Sequence, residues 1–199
     1  MSGGGGAVTT TDAVVHDTGS TTPDEVTLVE RAKDGDVRAY EQLVLRYQNQ
    51  MFRLALRMLG DRADAEDAVQ EVFLGAWRRL SQLQDSAAFV GWLYRMTTNR
   101  CLNVIRARRP TADVDPDTAE SPRTDTRPDH AAQVNSQLAA LNQALQRLTP
   151  EQRACWLLRE VDGLSYEEIA TIVETNTTAV RGRIARARAQ LAEVMKPWR

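Results

Sequence analysis

Every regular segment of this 199-residue chain carries apolar residues at spacings of three and four, which is the pattern of amphipathic helices. The longest stripe runs from Tyr40 to Leu59 and stops at Gly60, a residue suited to ending a helix. The pattern predicts an all-α protein. The predicted helices cover residues 25–34, 40–59, 64–80, 87–108, 134–148, 150–161, 166–173 and 177–195.

Two segments lack this periodicity and divide the chain. Residues 1–24 are rich in Gly, Ser and Thr, and such a composition buries too little apolar surface to offset chain entropy, so we predict a disordered tail. Residues 110–130 hold four of the seven prolines and six acidic residues against two arginines, which favours a flexible acidic linker. Two small helical domains, residues 25–109 and 131–199, are therefore predicted on either side of this linker.

Composition excludes several classes of protein. The 25 basic and 27 acidic residues leave a formal charge of −2, too small a field for non-specific binding of a polyelectrolyte by the whole chain. Apolar runs are only a few residues long and the N-terminus lacks a signal-peptide pattern, so we expect neither membrane insertion nor secretion. Cys101 and Cys155 have no Cys or His nearby, which gives no support to a disulfide framework or a zinc site.

Motifs of catalysis are also missing from the sequence. It contains no Ser/His/Asp arrangement, no phosphate loop, no Gly-rich dinucleotide fingerprint and no Glu-x-x-His motif. We therefore expect a cytoplasmic protein that is not an enzyme and that uses no cofactor, no metal and no small-molecule substrate.

The C-terminal helices have the dimensions of a helix-turn-helix: a short helix, a three-residue turn and a longer helix. Thr149 with Gln152 and Ser165 with Glu168 have the spacing of capping boxes, which places two of the helix starts. The spacing of the apolar residues directs a basic surface of the last helix away from the core.

Small and basic residues make up that outward face and its flanks. Side chains at the start of such a helix reach base edges in the major groove, and flanking arginines meet phosphates. A solvated basic surface is the alternative; the agreement of spacing, caps and charge favours DNA binding. The residues are Thr178, Arg181, Gly182, Arg183, Ala185, Arg186 and Arg188.

A second basic patch lies on the predicted helix 87–108, which has five arginines and no acid from residue 91 to residue 109. Aromatics interleaved with arginines suit single-stranded nucleic acid, because bases stack while guanidinium groups follow the backbone. The alternative is that Phe89 and Trp92 pack in the core, and we favour it since the domain has few aromatics. Arg95 and Asn99 are then the better polar candidates.

The predicted helix 64–80 begins with an acidic surface. On residue chemistry alone, such a surface is most often only a solvated helix face. Its polar residues are Asp64, Glu66, Asp67, Gln70 and Glu71.

Taken together, these segments resemble the extracytoplasmic-function sigma factors of bacterial RNA polymerase. Gly35-Asp36 with Tyr40, the run DAEDAVQEVFLGAW at 64–77, and FxxWLY at 89–94 with Asn99 are similar to the second domain of that family. LTPEQR at 148–153, LREVDGLSYEEIA at 158–170 and VRGRIARAR at 180–188 are similar to its fourth domain.

The resemblance implies a function and a set of partners. It implies a sigma factor that binds core polymerase at the clamp helices and flap, recognises minus-thirty-five and minus-ten promoter elements, and promotes DNA melting for a specialised regulon. An anti-sigma factor is a potential further partner. The resemblance implies that core polymerase is contacted by Asp64, Asp67, Gln70 and Glu71.

The resemblance also divides the DNA contacts between the two domains. The basic face of the last helix would read the minus-thirty-five element. The loop 81–88 and the helix after it would handle the melted minus-ten element. The minus-ten residues are Ser86, Arg95, Asn99 and Arg100.

The length of the predicted linker is compatible with one chain that binds both promoter elements. About twenty residues at up to ~3.4 Å each reach roughly 65 Å, and promoter elements about sixteen base pairs apart are about 55 Å apart along the duplex. An acidic linker would also suit a basic channel of the polymerase.

The residue chemistry alone is also compatible with two other functions. One is a repressor or activator that binds palindromic half-sites as a dimer. The other is an RNA-binding or purely protein-binding module, in which the outward arginines would be incidental.

Overall fold

Residues 24–108 and 140–194 are described by the structure, a computed structural model, and the segments within these ranges are helices joined by turns, without a strand. The predicted all-α class is therefore confirmed. The helices are α1 (Glu25–Lys33), α2 (Val37–Leu59), α3 (Arg62–Arg79), α4 (Phe89–Arg108), α5 (140–147), α6 (Pro150–Glu160), α7 (Tyr166–Ile172) and α8 (Thr177–Val194), with 3-10 turns at Leu80–Gln82 and Ser86–Ala88.

Helices α1 to α4 form the first domain around a core that α2 crosses from end to end. Asp36 begins α2, because its side chain accepts hydrogen bonds from the backbone N–H groups of Arg38 and Ala39. Gly60 ends α2 in the left-handed conformation with φ 72°, which glycine adopts at little cost. The fully buried core side chains include Leu43, Met51, Met58, Phe89 and Leu93.

Helices α5 to α8 form the second domain. Both predicted capping boxes are present, at Thr149 with Gln152 and at Ser165 with Glu168. Each box satisfies backbone N–H groups that a helix start would otherwise leave unpaired, so α6 and α7 begin at Pro150 and Tyr166 as predicted. Their buried faces meet α8 through Leu157, Leu158, Ile169, Val180 and Ile184.

One apolar residue does not lie where its spacing predicts. We expected Val161 to face inward at the end of α6, but 43% of its surface is exposed. The helix ends at Glu160, and Val161 is the capping residue, so helical periodicity no longer sets its direction. The buried positions of Ala154, Leu157 and Leu158 follow the prediction.

The two domains contact each other through a buried arginine. Arg153, only 4% exposed, donates to the carbonyl of Met58 at the end of α2 and to that of Leu145 in its own domain at 2.8 Å. Burial lowers the pKa of Arg153 to about 10. Gln146 adds a bond to the carbonyl of Arg57 at 3.3 Å.

Residues 1–23 of the predicted tail and the whole predicted linker lie outside the described residues, as do the N-terminal part of the helix predicted from residue 134 and Met195. Asp24, the last residue of the predicted tail, is the capping residue at the start of α1. The two helical domains are thus described up to residue 108 and from residue 140 onward. Within those ranges they are docked on each other.

Candidate polymerase and nucleic-acid interfaces

The face of α8 that the sequence predicts as outward is exposed. Thr178, Arg181, Ala185, Arg186 and Arg188 are solvent-exposed, and their apolar neighbours on the opposite side are buried. The helix therefore presents a basic surface with small residues at its centre, as a helix entering a major groove requires.

Arg181 and Arg186 are held by contacts that leave their charges unneutralised. The guanidinium carbon of Arg181 lies over the Tyr166 ring, 5.0 Å from its centroid. The Arg186 guanidinium folds over Gly182, since a Cβ built at Gly182 would lie 3.5 Å from its Nη1. Within residues 24–108 and 140–194, neither arginine has a carboxylate partner.

The flanking arginines differ from this pair. Arg188 forms an ion pair with Glu160 at 2.6 Å, which raises the pKa of its guanidinium. Arg183 is half-buried and donates to the thiol of Cys155. It also lines a cleft of about 450 Å³ with Asn99 of α4, so it faces the first domain.

The minus-ten candidates of α4 are occupied by the second domain. Arg95 forms an ion pair of 2.7 Å with Glu174, in the turn between α7 and α8, and Asn99 also bonds to that carboxylate. The hydrogen bond from Arg95 lowers the pKa of Glu174. The backbone of Glu174 has a positive φ of 52°, which is uncommon for a residue other than glycine. The turn between α7 and α8 thus places the Glu174 carboxylate next to α4.

Two further minus-ten candidates lie in different surroundings. Arg100 is paired with Glu71 of α3 at 2.7 Å. Ser86 is only 6% exposed, so in this conformation it offers almost no surface to a ligand. Phe89 is fully buried and Trp92 packs against the core, as we favoured from the sequence.

The four polymerase candidates of α3 do not share one face. Asp64 is paired with Arg108 and Glu71 with Arg100, so both carboxylates turn toward α4. Gln70 lies on the other side, where it lines a groove between α2 and α3. Asp67 is exposed.

That groove, which sequence reasoning missed, is an apolar surface feature of the first domain. It encloses about 750 Å³. The Tyr40 ring packs against the Trp77 ring in a tilted arrangement, with the centroids 4.8 Å apart, and the Tyr40 hydroxyl donates to the carbonyl of Phe73 at 2.6 Å. These contacts fix the two rings along the floor. Burial raises the pKa of Tyr40 to about 12. Val37 and Leu74, 66% and 52% exposed, extend the apolar surface at the rim.

A signal for the groove was present in the sequence. Tyr40 and Val44 are four residues apart, and so are Phe73 and Trp77, but we assigned all four to the core stripes. The apolar stripes of α2 and α3 are wider than one core contact needs. Phe73 is buried in the core, whereas Tyr40, Val44 and Trp77 are only half-buried and line the groove.

Residues 24–108 and 140–194 include no group of three or more His, Cys, Asp or Glu side chains placed to hold a metal ion. No helix in these ranges is both long and apolar enough to cross a membrane.

Two family comparisons match the two domains. The family Sigma-70 region 2 matches residues 43–111, and the family Sigma-70, region 4 matches residues 138–191. The first match holds most of the α2–α3 groove and the polar face of α4. The second holds the helix-turn-helix.

Curated relatives match along most of the chain. The RNA polymerase sigma-H factor of Pseudomonas aeruginosa is 38% identical over 85% of this chain and 93% of its own length. The ECF RNA polymerase sigma-E factor of Escherichia coli K12 is 35% identical over the same shares. Neither relative matches only one of the two domains, so the pairing of the domains is common to all three proteins.

Solved structures agree with this similarity. CnrH, solved in complex with the cytosolic domain of CnrY, superposes with a TM-score of 0.67 and 28% identity over 87% of this chain and 97% of CnrH. The sigma factor RpoE of Bartonella quintana, solved with the anti-sigma factor NepR, has a TM-score of 0.62 at 23% identity over 80% of this chain and 98% of RpoE, and shows a shared fold. The chain therefore belongs to the extracytoplasmic-function sigma factors, the promoter-recognising subunits with which bacterial RNA polymerase initiates transcription.

Proposed function

We propose that the first domain binds core polymerase through the α2–α3 groove and the polar edge of α3. The aromatic floor of the groove and its exposed apolar rim at Val37 and Leu74 carry this assignment, because contiguous apolar surface left open on a small domain usually marks a partner site. Gln70 lies at the groove, and Asp67 is exposed on the same helix. Asp64 and Glu71 would contribute after they leave their arginine partners.

The basic face of α8 is proposed to read the minus-thirty-five element. Arg181 and Arg186 are the base-reading candidates, since a guanidinium makes bidentate contacts with guanine. Arg188 and Arg183 are the phosphate candidates, with Thr178 at the helix start and Gly182 and Ala185 allowing close approach. Arg183 must turn away from α4 to take this role.

The polar face of α4 is proposed to bind the melted minus-ten strand. Arg95 and Asn99 supply a charge and an amide beside a cleft of about 450 Å³ that also includes Trp92. Arg100 borders the same cleft. A guanidinium beside an aromatic ring suits a backbone phosphate next to an unstacked base.

Promoter binding then requires the domains to separate. Glu174 occupies Arg95 and Asn99 in the docked state, and the two promoter elements are about 55 Å apart along the duplex. The linker of about twenty residues, with a reach of roughly 65 Å, is long enough for this separation. Core polymerase would hold the separated domains at the two elements, which raises their effective concentration on the promoter.

We further propose that the chain acts in the cytoplasm on a specialised set of promoters, without catalytic activity of its own, and that an anti-sigma factor regulates it. Two structurally similar proteins were solved with a bound partner: CnrH with the cytosolic domain of CnrY, and the sigma factor RpoE with the anti-sigma factor NepR. An anti-sigma factor that kept the domains together would preserve the ion pair between Arg95 and Glu174.

Run-off transcription with purified core polymerase tests this function. We expect a core-dependent transcript from a cognate promoter, found by sequencing DNA that the reconstituted holoenzyme retains. Gln70→Ala combined with Trp77→Ala should reduce the transcript at least tenfold and weaken core binding in a titration. Gln42→Ala, on an exposed part of α2 outside the groove, is the matched control and should leave both unchanged.

The same experiment separates the alternatives. Tight, palindrome-dependent binding by the chain alone, with no core-dependent transcript, would favour a free-standing repressor. A transcript that survives the groove variants would move the polymerase site elsewhere on the domain.

A further inference from the structure

Tyr166, the first residue of α7, lies beneath two guanidinium groups. The guanidinium carbon of Arg159 is 4.7 Å from the ring centroid and that of Arg181 is 5.0 Å from it. Both distances are within the range in which the ring's quadrupole attracts a cation. The ring thus joins the end of α6 and the second turn of α8 through one side chain.

The ring itself is held firmly by its neighbours. Ser165 caps α7 with a complete capping box, in which its Oγ accepts from the Glu168 N–H at 3.1 Å and its own N–H donates to Glu168 at 2.7 Å. Arg159 is fixed as well, since it donates to the carbonyl of Leu164 at 2.7 Å. The backbone position of Tyr166 and one of its two cations are therefore set before Arg181 makes its contact.

Arg181 is held only by this ring among the contacts found in residues 24–108 and 140–194. A carboxylate partner, such as Glu160 provides for Arg188, would also limit the motion of an arginine, but it would neutralise the charge and would have to be displaced by DNA. An aromatic ring restricts the side chain and leaves its five N–H donors directed outward.

We infer that Tyr166 is a positioning residue for recognition of the minus-thirty-five element: its ring preorganises the Arg181 guanidinium for a base contact. The inference rests on the proposed role of Arg181 in reading DNA. The contact reduces the number of rotamers that Arg181 loses on binding, so its benefit appears at the base pair that Arg181 reads and not along the whole site. Tyr166 acts through Arg181 and need not touch a base.

A double-mutant cycle in the full chain, assembled with core polymerase, tests this inference. The variants are Tyr166→Met, Tyr166→Phe, Arg181→Ala and the Met/Ala double variant. Each is titrated against a cognate promoter and against promoters with single base-pair changes across the minus-thirty-five element. Met retains bulk and helix propensity without a ring, and Phe retains the ring without the hydroxyl.

We expect Tyr166→Met to lower discrimination about two- to fivefold at the one base pair where Arg181→Ala also lowers it, the size expected of an exposed cation–π contact. Tyr166→Phe should stay within about twofold of the parent. In the Arg181→Ala background, Tyr166→Met should cause no further loss of discrimination. Circular dichroism melts identify any variant that has lost its fold, and Tyr166→Leu then replaces Tyr166→Met.

Other outcomes would contradict either the positioning role of Tyr166 or the proposed DNA contact of Arg181. Equal losses on every promoter, or equal losses with and without Arg181, would mean that Tyr166 only stabilises the domain or meets a phosphate, and would overturn the positioning role. If Arg181→Ala itself changes discrimination at no base pair, the proposed DNA contact of Arg181 fails first. If Arg181→Ala lowers discrimination at a base pair and Tyr166→Met does not, the positioning role of Tyr166 is rejected and the DNA contact of Arg181 stands.

Discussion

Helices α8 and α4 both carry arginines proposed to bind DNA, but the structure treats their charges differently. On α8, Arg181 and Arg186 rest against a ring and a glycine. On α4, Arg95 and Arg100 are each paired with a carboxylate at 2.7 Å. The α8 face is therefore ready for an anionic ligand, whereas the α4 face must first release its own anions.

The difference matches the two roles proposed for these helices, duplex binding by α8 and binding of a melted strand by α4. Exposed ion pairs contribute only about 0–1 kcal/mol, so a strand of DNA with several phosphates can displace them once it is in place. Until then, the paired carboxylates reduce the positive charge that α4 presents to duplex DNA. We therefore expect α8 to bind DNA in the isolated second domain and α4 to bind it only in the opened protein.

The largest effect should follow from loss of the arginine that joins the two domains. Arg153→Met removes the arginine donor from the carbonyls of Met58, Gln146 and Leu148, and an unsatisfied buried acceptor costs about 1–3 kcal/mol. Relief of the burial that lowers the pKa of Arg153 offsets part of this cost. We expect a net loss of about 2–4 kcal/mol in the free energy of unfolding, measured by urea denaturation.

The matched control is Arg147→Met, because Arg147 is exposed on the neighbouring helix. It should change stability by less than about 0.5 kcal/mol. A similar small change for Arg153→Met would show that the domains do not depend on this contact, and the contrast between α4 and α8 would lose its structural basis.

A smaller effect should separate the two helices directly. Glu174→Gln removes the carboxylate that pairs with Arg95 and Asn99, so the free chain should bind a single-stranded minus-ten oligonucleotide about two- to fivefold more tightly. Its binding of a minus-thirty-five duplex should not change. Fluorescence anisotropy with both probes measures the two affinities, and Glu167→Gln on the exposed side of α7 is the control. Equal tightening on both probes would indicate a general charge effect.

The docked state should also depend on pH. Tyr94 of α4 donates to Asp162 at 3.0 Å, and burial raises the pKa of that carboxyl above its usual value. A raised pKa in the folded state means that the folded protein binds this proton more tightly than the unfolded chain. Stability contributed by the protonated carboxyl is therefore present at low pH and is lost as the pH rises through the folded-state pKa.

Comparison with Asp162→Asn isolates this contribution. Asn keeps an acceptor for Tyr94 but does not titrate, so the parent should lose stability relative to the variant as the pH rises from about 4 to about 7. Urea denaturation at each pH gives the difference. A difference that stays constant, or that changes in the opposite direction, would mean that burial does not control Asp162.

The smallest effects should come from one glycine in each helix. A Cβ at Gly91 of α4 would meet no atom within 4 Å, and one at Gly182 of α8 would make an ordinary contact with Arg186. Each change to Ala should therefore raise stability by up to about 1 kcal/mol through helix propensity. Of the two changes, only Gly182→Ala should alter binding of the minus-thirty-five element, because Gly182 lies beneath Arg186, a proposed base-reading arginine. Thermal melts measure the change in stability, and fluorescence anisotropy measures the change in DNA binding.

Local rules predicted much of this fold from the sequence. The capping boxes at Thr149 and Ser165 and the glycine at residue 60 depend only on neighbouring residues, so the ends of α2, α6 and α7 could be placed closely. The predicted inward direction of Val161 was wrong because Val161 is the capping residue of α6, where the helical period no longer sets the direction of a side chain.

The sites were less predictable because they depend on contacts distant in sequence. The direction of α8 followed from its apolar stripe, but the ion pair between Arg95 and Glu174 joins residues 79 positions apart, and no local pattern indicates it. The split of α3, with Asp64 and Glu71 turned toward α4, also depends on which helix packs against which side. The roles of these residues in binding stay predictions.

A distance measurement between the domains tests the central claim most directly. Cys101 and Cys155 are buried and burial raises their thiol pKa, so spin labels can be directed to cysteines introduced at the exposed Glu41 and Ala192. We predict one narrow, short distance between the labels in the free chain and a longer one after assembly with core polymerase and promoter DNA. A broad distribution in the free chain, or the same distance in both states, would contradict a docked protein that opens to bind its promoter.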